Sequence, residues 1–156
     1  MTPPPFQALL DAHGAVVHRF LVVAVGPVDA DDCFQEACIA ALRAYPELDS
    51  DANLRGWLLR IAQRKALDAH RATRRRPVPA ERLPDTAPAP LEPLDGEPEL
   101  WARVRALPDK QRTAVFLRSV AGLPYAEVGD VLGCSQEAAR RNVHEGLKRL
   151  REELVA

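Results

Sequence analysis

Residues 124–150 combine side chains that bind nucleic acid with the spacing of two short helices around a turn. Guanidinium and amide groups can form paired hydrogen bonds to base edges in the major groove, and cationic groups bind phosphates. The polar positions expected on the outer side of the second helix are Gln136, Glu137, Arg140, Arg141, His144 and Lys148. These groups predict a helix that reads duplex DNA, although any helical hairpin in a bundle can carry charges on its outer side.

Local signals predict the elements that position these groups. A first helix is expected from about Pro124, which suits a first turn, to Leu132. Gly133 is expected to end it and Ser135 to cap the next helix. The apolar stripe of that second helix consists of Ala139, Val143, Leu147 and Leu150. Gly146 is unexpected there, because an interior glycine costs a helix roughly 1 kcal/mol relative to alanine. Together these elements form a helix-turn-helix, whose second helix can enter the major groove.

A second basic segment is predicted to be a helix that follows a loop over residues 46–53, is capped by Ser50 or Asp51, and ends near Arg75. Its basic residues are Arg55, Arg60, Arg64, Lys65, Arg71, Arg74, Arg75 and Arg76. Arginines along a helix can follow phosphates, and Trp57 with the loop could hold unpaired bases. The inward positions are Leu54, Trp57, Leu58, Ile61, Ala62 and Ala66. The alternative is that the last three arginines only stabilise the negative end of a helix dipole.

The preceding helix, expected from after Asp29 to about Tyr45, has two different faces. The inner stripe is predicted to contain Phe34, Ala37, Cys38, Ala41, Leu42 and Tyr45. The other face holds Asp32, Gln35, Glu36, Ile39 and Arg43. A solvated surface is the default for such a face, but an isoleucine framed by polar groups resembles a small docking surface.

The whole chain is predicted to be all-α, with two small helical modules. The first module comprises residues 1–76 and is expected to begin with a helix over about residues 6–24. Residues 77–98 form a Pro-rich linker, which could span about 60 Å at roughly 3.1 Å per residue. The second module, residues 99–156, is expected to begin with two short helices whose inward residues include Val115, Phe116 and Val120. Net charges of +1, −4 and +2 for residues 1–76, 77–97 and 98–156 place the acidic excess in the linker.

Composition argues against several classes of protein. The chain of 156 residues has a net charge of −1, less basic than most free-standing DNA-binding proteins. No apolar run of membrane-spanning length and no signal peptide are expected, so a soluble, cytoplasmic protein is predicted. Cys33, Cys38 and Cys134 are interpreted as reduced, mostly buried thiols. No nucleophile–base pair or metal-ligand spacing is evident, and we expect no enzymatic activity, metal or cofactor.

Three segments resemble one known family. They are DADDCFQEACIAALRAY at 29–45, ANLRGWLLRIAQRKALDAHR at 52–71 and LPDKQRTAVFLRSVAGLPYAEVGDVLGCSQEAARRNVHEGLKRLR at 107–151. In order and spacing the chain resembles RNA polymerase sigma factors of the extracytoplasmic-function group, which keep only the second and fourth conserved regions. The resemblance covers nearly the whole chain.

The resemblance implies a promoter-specificity subunit whose partners are core RNA polymerase, promoter DNA and an anti-sigma factor, without membrane insertion. Binding to the polymerase clamp helices is implied for Asp32, Gln35, Glu36 and Ile39. Binding and melting of the −10 element are implied for Asn53, Arg55, Trp57, Arg60, Arg64 and Arg71. The helix-turn-helix module is similar to the part that reads the −35 element near the polymerase flap, and the acidic linker to the part that lies toward the RNA exit path.

The sequence departs from the family pattern at Gln63-Arg64, where Arg-Asn is usual, at Pro124, where Ser is frequent, and at Asn142, where Arg is usual. The departure at Gln63-Arg64 concerns how the −10 strand is held. Those at Pro124 and Asn142 leave two interpretations, a different −35 preference or weak promoter reading. Two other interpretations remain open: a stand-alone regulator that uses only the helix-turn-helix, and an interaction protein that binds polymerase or an inhibitor without reading promoters. The sequence also leaves open whether the two modules close on each other.

Overall fold

The computed structural model describes residues 4–48, 53–75 and 98–155, and within these ranges the secondary structure is helical without strands. The helices are α1 (Phe6–Val25), α2 (Pro27–Ala44), α3 (Leu54–Arg75), α4 (Pro98–Ala106), α5 (Asp109–Ser119), α6 (Tyr125–Leu132) and α7 (Gln136–Val155), with a short 3₁₀ turn at Tyr45–Glu47. The all-α prediction is confirmed. All of the predicted linker except Pro98 lies outside the described residues.

Helix α1 is the central core helix of the first half, and it packs against α2, α3 and α5. By length and composition alone it is apolar enough to cross a membrane, so the expectation that no such run exists was wrong. Its apolar character has a structural reason, because Phe20 and Leu21 are almost completely buried among the other helices. A helix enclosed in this way is apolar on more than one side.

The starts of α2 and α3 differ from the sequence predictions. Pro27 occupies the first turn of α2, so this helix begins two residues before Asp29. Helix α3 begins at Leu54, and Asn53 caps it: the Asn53 Oδ1 atom accepts a hydrogen bond from the Gly56 N–H at 3.3 Å. The two residues predicted to cap this helix, Ser50 and Asp51, lie outside the described ranges. An asparagine directly before a helix is well suited to this role.

Two apolar side chains assigned to the core are exposed. Leu42 is 55% exposed, because at about 100° per residue it lies only about 60° around α2 from the outward Ile39. Val120 is 39% exposed because α5 ends at Ser119, and the turn that follows buries Ala121 and Leu123 instead.

The helix-turn-helix has the predicted local structure. Gly133 ends α6 in the left-handed conformation with φ 73°, and the Ser135 Oγ atom accepts a hydrogen bond from the Ala138 N–H at 3.0 Å. Gly146 faces α5, where an added Cβ atom would lie 2.5 Å from the Cγ2 atom of Val115. The interior glycine is therefore required by the close approach of α5 and α7.

The two halves of the chain pack on each other and share buried residues. The rings of Phe20 in α1 and Phe116 in α5 have centroids 5.7 Å apart. The Arg112 Nη2 atom of α5 donates a hydrogen bond to the Ala24 carbonyl at the end of α1, at 3.3 Å. Helix α3 also contacts α6. The structure thus shows a closed arrangement of the two halves, which the sequence left open.

Candidate nucleic-acid interface

Helix α7 separates a buried side from a polar, solvent-facing side. Ala139, Val143 and Leu150 are buried against α5 and α6, and Leu147 is half-buried. The polar residues predicted on the other side are all exposed: Gln136, Glu137, Arg140, Arg141, His144 and Lys148. The cap at Ser135 fixes the start of the helix, so its first two turns project into solvent in a defined direction.

One contact that the sequence analysis missed orients a residue of this surface. The guanidinium carbon of Arg140 lies 5.0 Å from the ring centroid of Tyr125, and that of Arg118 lies 4.3 Å from the same centroid. An arginine placed over an aromatic face is attracted by its quadrupole. No local pattern in the sequence reveals that two arginines from different helices meet on the ring of Tyr125.

Five of the six residues predicted to contact the −10 element share one side of α3. At about 100° per residue, they fall within an arc of about 60°. These residues are Asn53, Trp57, Arg60, Arg64 and Arg71. Arg60, Arg64 and Arg71 are exposed. Trp57 is half-buried, with its ring centroid 6.2 Å from that of Tyr45. The arrangement offers three cations in a row beside an aromatic ring, which suits the backbone and bases of a single strand.

Arg55 does not belong with the other five residues, because it lies on the opposite side of α3. Its Nε atom donates to the His13 Nδ1 atom at 3.4 Å, and its Nη1 atom donates to the Ala121 carbonyl at 3.0 Å. Burial, and to a lesser degree the charge of Arg55, lower the pKa of His13. Arg55 therefore connects α3 to α1 and to the α5–α6 turn, and it lies apart from the other residues predicted to contact the −10 element.

The first turn of α3 is also in contact with α6. The Asn53 Nδ2 atom donates a hydrogen bond to the Glu127 Oε2 atom at 2.6 Å. A cleft of about 220 Å³ lies between the two helices, and its lining residues are Asn53, Gly56, Trp57, Arg60, Glu127, Asp130 and Val131. Part of the basic side of α3 thus faces the helix-turn-helix in this closed arrangement.

The outer face of α2 is acidic, and the helix packs through its other side against α1 and α3. Asp32, Gln35 and Glu36 are exposed, and Ile39 is 47% exposed. The exposed Leu42 enlarges the apolar part of this face. A groove of about 370 Å³ runs beside it, lined by Asp29, Asp32, Cys33, Glu36, Asp68, Ala69 and Ala72. This surface suits a partner that carries both cationic and apolar groups.

The cysteines are free thiols, of which Cys33 is buried and Cys38 and Cys134 are half-buried. Burial, followed by the neighbouring carboxylates of Glu36 and others, raises the pKa of Cys33, and burial alone raises that of Cys38. The prediction of buried thiols is confirmed for Cys33, whereas Cys38 and Cys134 are only partly buried. Among the described residues, no cluster of three or more His, Cys, Asp or Glu side chains could hold a metal ion.

Both halves of the chain match known protein families. Residues 9–76 match sigma-70 region 2, and residues 98–150 match sigma-70 region 4. The two matches cover the helices that carry the three surfaces described above. The fold and these surfaces define the class as a two-region transcription initiation factor.

The similar proteins make the class more specific. The chain is 35% identical to the ECF RNA polymerase sigma factor SigD of Mycobacterium tuberculosis, over 96% of this chain and 77% of SigD. It is 32% identical to the RNA polymerase sigma factor CarQ of Myxococcus xanthus, over 94% of this chain and 87% of CarQ. The chain belongs to the extracytoplasmic-function group of RNA polymerase sigma factors, and it is accordingly a promoter-specificity subunit for transcription initiation.

Two solved structures share the fold. The sigma factor RpoE, in complex with the anti-sigma factor NepR from Bartonella quintana, superposes with a TM-score of 0.79 at 20% identity, and 97% of each chain is covered. CnrH, in complex with the cytosolic domain of CnrY, superposes with a TM-score of 0.69 at 22% identity, over 96% of this chain and 86% of CnrH. Both halves of the fold are included in these superpositions.

Proposed function

We propose that this chain binds core RNA polymerase through the outer face of α2, reads and helps to melt the −10 element with α3, and reads the −35 element with α7. The observation that carries the proposal is the separation of three surfaces of different chemistry on one small molecule. An acidic and apolar face lies on α2, whereas cationic faces lie on α3 and α7. A protein that must bind both a polymerase and DNA needs such a division.

The polymerase-binding role is supported by the exposure of Asp32, Gln35, Glu36 and Ile39 on one side of α2. An exposed isoleucine surrounded by carboxylates gives an apolar anchor with a charged rim, as in many protein interfaces. Leu42 lies beside Ile39 and extends the anchor. The carboxylates attract a basic partner, which increases the rate of encounter and selects the orientation.

The −10 role is supported by the row of exposed arginines that begins near Trp57. Arg60, Arg64 and Arg71 can bind successive phosphates of one strand, and an aromatic side chain can stack on an unpaired base. Trapping unpaired bases favours the melted state, because unstacking a base costs a few kcal/mol that binding then offsets. This role does not include Arg55, whose side chain is engaged inside the protein.

The −35 role is supported by the exposed start of α7. Gln136, Arg140 and Arg141 lie in its first two turns, the part of a recognition helix that meets base edges. Arg140 is held against Tyr125, which limits its conformational freedom before binding. His144 and Lys148, one and two turns further along, are suited to phosphate contacts. The exposed Glu137 can accept a hydrogen bond from cytosine.

Several further properties follow from the proposal. The chain acts in the cytoplasm, where polymerase is found, and it has no catalytic activity of its own. Solved relatives with this fold are bound to an anti-sigma factor or to the cytosolic domain of CnrY, and we propose that an anti-sigma factor also binds this chain. The acidic residues 77–97 lie toward the RNA exit path, where their charge of −4 stands in for RNA.

Two binding experiments separate the proposal from its alternatives. Immobilised full-length chain should retain purified core polymerase, and a footprint on promoter DNA should require both proteins together. A footprint by the chain alone would support a stand-alone regulator. Retention of polymerase without any footprint would support a protein that binds polymerase but reads no promoter, and absence of retention would contradict the proposed function.

A further inference from the structure

The row of exposed arginines on α3, Arg60, Arg64 and Arg71, contains one exposed apolar residue. Leu67 is 43% exposed, whereas its neighbour Ala66 is buried. At about 100° per residue, Leu67 lies within about 60° of each arginine around the helix axis. Single exposed apolar residues are common, so exposure alone indicates nothing. The informative observation is the position of this leucine among three cations.

The spacing along α3 places Leu67 between two of the arginines. At a rise of about 1.5 Å per residue, it lies about 4.5 Å from Arg64 and about 6 Å from Arg71 along the helix axis. The two arginines are therefore about 10 Å apart, the length of about three stacked nucleotides at roughly 3.4 Å each, or of fewer in an extended strand. A strand whose phosphates pair with both arginines must pass over Leu67.

The side of α3 next to this row is acidic. Asp68, which follows Leu67 in the chain, lines the groove of about 370 Å³ between α2 and α3. Asp32 and Glu36 line the same groove from α2. These carboxylates repel phosphates, so they restrict a bound strand to the arginine row and to the leucine within it.

Arginines alone do not distinguish paired from unpaired DNA. Both forms present phosphates, and the binding of phosphates does not depend on sequence. The faces of the bases differ between the two forms, because stacking covers them in a duplex and unpairing makes them accessible. Leucine is one of the apolar residues that insert between bases in protein–DNA complexes. A leucine within the row therefore adds a contact that only unpaired DNA offers.

We propose that Leu67 is a specificity-determining residue of α3, which packs on a base of the bound strand and gives the arginine row its preference for unpaired DNA. This inference rests on the proposed −10 role of α3. The occupant is a nucleic-acid strand because the three cations around the leucine match a row of phosphates.

Four substitutions in the full chain separate the apolar contact from the charge. Leu67→Gln removes the apolar group while keeping a similar length and helix propensity, and Leu67→Met keeps an apolar side chain. Val28→Gln makes the polar change at another exposed apolar residue, which is 71% exposed at the start of α2. Arg64→Ala removes one cation of the row. Circular dichroism and thermal unfolding check that each variant is folded.

Fluorescence anisotropy measures the affinity for a labelled single strand of about 16 nucleotides and mixed sequence, and for the same strand in a duplex. Leu67→Gln should bind the single strand about three- to tenfold more weakly than the wild type, with an unchanged affinity for the duplex. Leu67→Met and Val28→Gln should bind both forms like the wild type. An unchanged single-strand affinity of Leu67→Gln, or an equal loss for both forms, would overturn the proposal.

The salt dependence of single-strand binding distinguishes the two kinds of contact. Between about 50 and 200 mM salt, Arg64→Ala should lower the slope of log K against log salt by about 0.7, whereas Leu67→Gln should leave this slope unchanged. If Arg64→Ala bound the single strand like the wild type, the proposed −10 role of α3 itself would be contradicted. If Arg64→Ala were weakened and Leu67→Gln were not, only the inference about Leu67 would fail.

Photo-cross-linking tests the contact in the complex with core polymerase. Leu67→p-benzoylphenylalanine should form adducts with a duplex that has an unpaired central segment and not with the fully paired duplex. The same group at Val28 should form no adduct with DNA. Absence of a DNA adduct at position 67, or an adduct with the polymerase in its place, would overturn the proposal. Failure of the chain to bind core polymerase at all would instead contradict the proposed function, and the affinities of the free chain would still decide the role of Leu67.

Discussion

Arginine has two different roles in this chain, depending on where its side chain ends. Arg55 points into the protein and binds the Ala121 carbonyl, whereas Arg140 lies outside and rests on the ring of Tyr125. The first role stabilises the closed arrangement, and the second holds a cation in place for a partner. Residue type and helix position together decide which role is possible, and the tertiary contact decides which one occurs.

Replacement of Tyr125 tests whether its ring positions Arg140. Tyr125→Leu removes the ring and should weaken binding of the polymerase–sigma complex to a promoter duplex about two- to fivefold, the effect expected for a solvent-exposed cation–π contact of roughly 0.5–1 kcal/mol. Tyr125→Phe keeps the ring and should bind like the wild type. Gel-shift titration gives the affinities, and thermal unfolding checks that both variants are folded. If Tyr125→Phe weakened promoter binding as much as Tyr125→Leu, the hydroxyl group of Tyr125 and not its ring would be responsible for the effect.

His13 predicts a pH dependence of stability at the residue scale. Its pKa in the folded protein is lowered from the ordinary value of 6.5, first by burial and then by Arg55. The unfolded chain therefore binds a proton at higher pH than the folded chain, and the stability associated with His13 is present above about pH 6.5 and is lost as the pH falls below it. Protonation also removes the acceptor for the Arg55 Nε–H group.

The measurement is the melting temperature between pH 7.5 and pH 5, by circular dichroism, for the wild type and for His13→Gln. The wild type should lose more stability across this interval than the variant, because glutamine does not titrate. The carboxylates are the same in both proteins, so the difference between the two curves isolates His13. Parallel curves would contradict the assignment.

Helix α2 has one face in the core and a second face that is exposed and proposed to bind a partner. The helix packs against α1 and α3, its buried residues include Ala37 and Ala41, and its outer side carries the proposed polymerase surface. The small buried residues allow close packing, which brings the acidic face into a fixed position relative to α3. The energetic roles of the two faces can therefore be separated by substitution.

Glu36→Lys tests the outer face of α2. Reversing this exposed charge should weaken binding to core polymerase roughly tenfold or more, since like charges at an interface repel, while the fold is unaffected. Glu99→Lys makes the same charge change on α4 and should not alter the affinity. The affinities are measured by titrating labelled sigma with core polymerase. Equal effects of the two variants would indicate that only net charge matters.

Gly146→Val tests the approach of α5 to α7. The added side chain has no space beside Val115, so the free energy of unfolding should fall by about 1–3 kcal/mol, the usual cost of overpacking a core. Arg149→Val places the same residue at an exposed position of α7 and should change stability by less than about 1 kcal/mol. Urea denaturation measures both. A Gly146→Val protein as stable as the control would contradict the close packing.

At the scale of the whole molecule, the sequence predicts the elements better than their arrangement. The 3.6-residue period locates most helices within a few residues, and glycine and serine locate the turn at Gly133 and Ser135, because these signals act over a few neighbouring residues. The direction of Arg55 depends on Ala121, which is 66 residues away, and no local pattern encodes it. The exposure of Leu42, in contrast, follows from its position about 60° around α2 from the outward Ile39, which the helical period of the sequence already contains.

The closed arrangement leaves the outer faces of α2 and α7 exposed, whereas the first turn of α3 contacts α6. By chain length alone, roughly twenty residues between the two halves could span about 60 Å if extended, which is compatible with the two separate promoter elements of the proposed function.

The central claim is that the chain directs core polymerase to start sites, and run-off transcription tests it most directly. Purified core polymerase is incubated with a library of promoter fragments, with and without the full-length chain. The account predicts discrete transcripts that depend on the chain and disappear with Glu36→Lys but not with Glu99→Lys. Polymerase that binds the chain yet produces the same transcripts with and without it would contradict the claim.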